Sequence, residues 1–145
     1  MAKESRKSDD PAPVFWLAEP EEHDYPAAER YLTLLTGAAG AAAIVQSLRN
    51  APVTHQLAKD ILRASGLPLL TADNPHVAAD LAKIAAGKEL SPVLLVRGDL
   101  DAGIAAQVAD GYHRICASFL TDENTDIPVK LADPAAPGPA RRGAP

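Results

Sequence analysis

The chain has 145 residues, 47% hydrophobic and 23% charged, with a formal net charge of -5. That is one domain's worth of sequence with enough apolar material for a single core. Its acidity opposes a chain-wide nucleic-acid footprint, and its one cysteine, Cys116, excludes an intrachain disulfide and a cysteine-built zinc site.

The opening MAKESRKSDD is charged, with no apolar stretch behind it, unlike a secretory signal. Residues 1–13 read as a disordered tail, and so does the Pro/Gly/Ala-rich stretch 133–145 with Arg141 and Arg142. No run reads as approaching the roughly 18 apolar residues of a membrane span. A soluble cytoplasmic protein is the expectation.

Residues 14–66 read as a helical N-terminal extension. VFWLA is short and β-prone. PAAERYLTLL puts Ala28, Tyr31, Leu32 and Leu35 on one helical face, and after Gly37 the spacing resumes with Ala41, Ile44, Val45 and Leu48. THQLAKDILRASG is expected to be a third helix over 54–65, with Thr54 as its N-cap and Gly66 as its stop. Residues 67–132 change character. LPLL is a short extended piece. NPHVAADLAKIAAG has Asn74 as cap, Pro75 at the first position and Gly87 after the last turn. SPVLLVRG suits a strand buried on both faces, and IAAQVADG a strand paired with it. GYHRICASFL carries Tyr112, Ile115, Cys116 and Phe119 on one helical side. IPVKL alternates inward, with Pro128 marking an edge strand; Ile127–Leu131 is expected next to a sheet edge or at it, with Val93–Val96 central. The fold class is therefore mixed α/β, a small mixed sheet with a helical N-terminal extension.

VADGYHR carries the functional signal. A strand runs into Gly111 and a helix begins at once, exposing unpaired N–H groups and the positive end of a helix dipole, a setting that suits phosphate. Glycine permits close backbone approach, Arg114 supplies a forked donor, and His113 can donate or shuttle a proton. Gly111, Tyr112, His113 and Arg114 are thus the expected phosphate-binding residues. His76 joins them from the start of the Asn-Pro helix. Asp110 reads as an N-cap, or alternatively as a Mg²⁺ ligand or general base.

From Leu90 to Leu131, the order LSPVLLVRG, strand, DGYHRICASF, TDIPVKL resembles the ParB/sulfiredoxin-like superfamily, and NPHVAADLAKI is similar to its Asn/Asp-Pro helix. Sulfiredoxin has a Gly-Gly-Cys-His-Arg turn here, and the ParB N-terminal domain has Gly-Glu-Arg-Arg. The resemblance covers residues 67–131. It implies a ParB/sulfiredoxin-type sheet and a nucleotide held at Gly111, His113 and Arg114, with ATP or CTP and Mg²⁺ as the cofactors of relatives. Tyr112 stands at sulfiredoxin's catalytic cysteine, which removes that thiol chemistry. The positions of that family's other phosphate contacts fall on Val77, Asp80 and Ile84. ParB's helix-turn-helix has no counterpart, so partition-type DNA clamping is not expected. The serine kinases of this fold share an Asp-Gly-His form of the turn, which makes a small-molecule phosphotransferase the enzymatic alternative. The expected partner is a nucleotide or phosphorylated small molecule, with neither DNA nor a membrane; a homodimer stays open.

EPEEHDY gathers acids with His23, and reads as a solvated acidic loop leading into a helix that Asp24 caps, with a metal cluster or a base at Glu21 or Glu22 as the functional option. Lys59 and Arg63 share a helix face. Cys116 reads as a buried small hydrophobe. His55 and Trp16 find no place in this reading.

Overall fold

The computed structural model describes residues 11–134; the two terminal stretches, with Arg141 and Arg142, lie outside the described residues. In chain order the elements are β1 (Phe15–Trp16), α1 (Asp24–Asn50), β2 (Val53–Leu57), α2 (Ala58–Ser65), α3 (Pro75–Ala85), β3 (Glu89–Leu90), β4 (Val93–Val96), β5 (Gln107–Asp110), α4 (Tyr112–Thr121) and β6 (Asp126–Ala132). The fold is mixed α/β. Four strands form one sheet in the order β2-β6-β4-β5, with β4 and β6 parallel and both outer pairings antiparallel. A two-residue parallel ribbon joins β1 to β3.

All four residues of β4 are buried, because the sheet is covered on both faces. Val93 and Leu95 pack with Ile61, Val77, Ile84 and Ile115 from α2, α3 and α4. Leu94 and Val96 pack with Leu32, Ile44, Val45 and Leu48 of α1. Alternation along one short strand therefore feeds two cores.

Three expectations need correction. The helix expected over 54–65 begins at Ala58, and residues 53–57 form the edge strand β2 against β6. Val53 and Leu57 turn inward while Thr54, His55 and Gln56 stay exposed, and the first N–H groups of α2 are satisfied by Thr125 O and Glu123 O instead of a Thr54 cap. The helical extension consequently does not end at 66 as a separate layer, since β2 and α2 belong to the main sheet and core. Second, Pro128 does not mark the edge itself: β6 lies next to the edge strand β2, one of its two expected positions, and is paired on both sides. Pro128 stands opposite His55 of β2 and sits one residue before the ladder to β4 starts at Val129.

Third, α1 is long and apolar enough to pass for a membrane span by length and composition. It is not one straight helix. Gly37 has φ 79 and ψ 173, which breaks it into two pieces of about 13 residues, each roughly 20 Å long against a hydrocarbon core of about 30 Å. One side of both pieces is buried against the sheet.

Candidate anion site

The turn after β5 is built around a backbone that only glycine tolerates. Gly111 has φ +113, and a Cβ there would lie 2.5 Å from Val93 Cγ1 and 3.0 Å from Arg114 Nη2. Its absence lets α4 leave the strand directly against β4. Among the described residues no side-chain hydrogen bond caps the N-terminus of α4 at Gly111. Neighbouring α3, by contrast, has its own N-terminus capped by Asn74 Oδ1, which accepts from His76 and Val77 N–H at 2.9 and 3.2 Å.

The N-terminal turns of these two helices meet. The rings of His76 and His113 stand 4.8 Å apart between centroids, and Tyr112 flanks His113 at 5.8 Å. Burial, then the neighbouring His76, depress the His113 pKa below the ordinary histidine value, with Asp80 pulling the other way. Burial pushes the Asp80 carboxyl up, opposed by Arg114, Lys83 and both histidines. Tyr112 donates its hydroxyl to Pro68 O, and burial raises its pKa. Leu70 N–H donates to Cys116 Sγ at 3.4 Å, so Cys116 is buried as the sequence suggested. Val77 and Ile84 are core residues with no access to a ligand, whereas Asp80 faces the cluster.

Arg114 is already engaged. Its Nη2 donates to Asp110 Oδ2 at 3.0 Å and to Pro92 O at 3.3 Å, both carboxyl and guanidinium being mostly buried. Its Nε is buried with no hydrogen-bond partner among the described residues. Asp110 therefore does not cap α4, and a carboxylate committed to Arg114 does not fit a free Mg²⁺ ligand. Burial raises its pKa; Arg114 opposes this, and a hydrogen bond with Asp24 adds to it.

Asp24, read from the sequence as a cap, has a buried role there that the sequence did not signal. His23 occupies the cap position of α1 without a side-chain bond, and Asp24 is the first helical residue. Its buried carboxylate accepts from the Ser91 hydroxyl and from Glu21 N–H at 3.0 Å, and touches Asp110. The acidic loop thus reaches the back of the turn, 86 residues away in sequence. Glu21, His23 and Asp24 gather closely enough for a metal, but Glu21 and His23 are exposed. Glu22 pairs with Arg49 at 2.7 Å, away from the turn.

The other candidates disperse. Lys59 is exposed and Arg63 pairs with Asp60 at 3.1 Å. His55 pairs with Asp126 at 2.6 Å on the sheet edge, and Trp16 packs on the core with its Nε1 buried and unpartnered among the described residues. Clefts of about 340, 390 and 280 Å³ lie beside α1, Trp16 and α2, and the Gly111 turn lines none of them. No protein-family model, curated protein or solved structure matches the chain.

Proposed function

We propose that this chain is a ParB/sulfiredoxin-like module that binds a nucleotide or another phosphate-bearing ligand at the N-terminal turn of α4. One observation carries the reading: His76 and His113, each in the first turn of a helix, stand together beside an uncapped helix N-terminus. The strand–glycine–helix turn and the parallel β4–β6 pair support the family assignment. A single buried thiol accords with a reducing cytoplasm.

The local charge balance decides how binding should depend on pH. Arg114 is offset by Asp110, and Asp80 stands nearby, so His113 is the group whose charge a bound anion can change. His113 starts below its ordinary pKa. A bound anion favours its charged form, so binding takes up a proton and strengthens as pH falls.

Calorimetric titration with ATP, CTP and inorganic pyrophosphate at about pH 6 and about pH 8 tests this. The expected result is an affinity about tenfold higher at the lower pH, with His113→Ala and His76→Ala each weakening binding about tenfold, and His113→Ala flattening the pH dependence. Equal affinity in wild type and both variants would place the ligand elsewhere.

The phosphotransferase reading draws on Asp110, whose raised pKa moves toward that of a general base. Among the described residues, however, no carboxylate is hydrogen-bonded to the His113 ring, and the geometry supports binding over turnover. Loss of ATP-dependent phosphorylation of an amino-acid substrate in Asp110→Asn, with nucleotide affinity retained, would reverse that preference.

A further inference from the structure

Two imidazoles and a carboxylate meet between α3 and α4 with their bonding capacity unused. The rings of His76 and His113 stand 4.8 Å apart and 43° from parallel, so they are not stacked face to face. Asp80 lies one helical turn beyond His76 on the same face of α3, and its charge acts on both rings. Among the described residues, none of these three side chains has a hydrogen-bond or ion-pair partner. A half-buried carboxylate and two imidazoles left unsatisfied together call for a shared partner.

We propose that His76, His113 and Asp80 bind a divalent transition-metal ion of the Zn²⁺ type. Ring separation carries the inference. Two imidazoles bound to one zinc ion at about 2.0–2.1 Å, with near-tetrahedral angles, have ring centres about 5 Å apart. Imidazole nitrogens suit zinc and copper, and the carboxylate offsets part of the ion's charge. The scaffold is firm. Val77, beside His76, and Ile115, two residues after His113, are fully buried in one core, and Asn74 caps the first turn of α3. An ion has access, since His76 is exposed and His113 partly so. Of the neighbouring cations, Arg114 is offset by Asp110, and Lys83 is exposed to solvent.

Glu21, His23 and Asp24 are the competing group. They supply one imidazole instead of two, and Asp24 already accepts from the Ser91 hydroxyl and from Glu21 N–H. With three protein ligands, the fourth position of a tetrahedral ion stays open, and a phosphate oxygen can fill it. That last step rests on the anion-binding reading; metal uptake does not.

Calorimetric titration of the chelator-treated full chain with Zn²⁺ alone reads the outcome. One ion per chain is expected, with a dissociation constant below about 50 µM. Cu²⁺ should bind more tightly and Mg²⁺ not at all. His76→Ala and His113→Ala should each weaken Zn²⁺ binding about a hundredfold, and Asp80→Asn about tenfold. His23→Ala and His55→Ala should leave it unchanged, and circular dichroism should show every variant folded. A weaker wild-type constant, uptake that survives His113→Ala or Asp80→Asn, or uptake lost in His23→Ala overturns the proposal. Titrating the Zn²⁺-loaded and metal-free chains with ATP, CTP and pyrophosphate separates the two readings. Nucleotide binding without Zn²⁺ uptake sinks the metal site and spares the anion site, whereas Zn²⁺ uptake with no binding of any of the three anions does the reverse.

Discussion

Arg114→Ala probes the centre of the candidate site, and its first effect should be on stability. The guanidinium is the largest favourable charge on Asp110, whose carboxyl is otherwise desolvated and in contact with Asp24. Removing one partner of a fully buried ion pair costs about 3–5 kcal/mol. Here the arginine and aspartate side chains remain 17% and 18% exposed, and the orphaned carboxyl can take up a proton, so a loss of about 2–3 kcal/mol at pH 7 is expected. The sign of the pH effect follows from Asp110. Its pKa in the fold already lies above the ordinary value near 3.8, and losing Arg114 raises it further. A carboxyl raised on folding contributes stability that is present at low pH and is lost as pH rises through the folded pKa. The deficit of Arg114→Ala against wild type should therefore shrink at about pH 5, and adding Asp110→Asn should reduce it at pH 7 to about 1 kcal/mol. Urea denaturation at the two pH values measures all of this. A loss below about 0.5 kcal/mol, or one equal at both pH values, would refute the account of a buried, mutually dependent pair.

Gly111→Ala should cost about 2–4 kcal/mol in urea melts, since positive φ and the Val93 contact add together. Gly37→Ala meets open space, but its φ 79 with ψ 173 is a conformation essentially reserved for glycine, and it should cost about 1–3 kcal/mol in the same assay. Burial raises the Cys116 thiol pKa, partly offset by the Leu70 N–H, so the native protein should resist an aromatic disulfide reagent until it unfolds. Cys116→Ser should lower stability by about 1–2 kcal/mol without altering ligand titrations. His55→Ala breaks only an exposed pair with Asp126, and its urea midpoint should move by less than about 0.5 kcal/mol equivalent.

Residues 74–121 were the most legible part of the chain. Asn74-Pro75 announced α3 through local capping chemistry, the unbroken run Val93–Val96 announced a strand covered on both faces, and Gly111 announced the turn. The failures share a cause. Most of β2 was read as helix because the true helical spacing from Ala58 was extended back over Thr54–Leu57, whose strand partner lies some seventy residues on. Pro128 suggested an edge because the missing donor was visible, but not the point at which pairing with β4 begins. Asp24 passed for a cap because its real partners, Ser91 and Asp110, are remote. The Asp110–Arg114 pair had a local signal in its spacing of four residues, which was overlooked because Asp110 precedes the helix.

The strand order carries a consequence for synthesis. β6 lies between β2 and β4, yet it is the last of the four to leave the ribosome. Until Asp126–Ala132 emerges, β2 has no partner strand, and β4 with β5 is a lone antiparallel pair. Such a pair is only marginally stable in water, and the exposed edges invite pairing with other nascent chains. The sheet closes around its middle in one late step, which joins segments as distant as Val53 and Lys130. Slow contacts of that range set the folding rate. A ribosome-stalled chain ending before residue 126 should remain sensitive to protease across β2 and β4, and protection should arrive for the whole sheet together once β6 has cleared the exit tunnel.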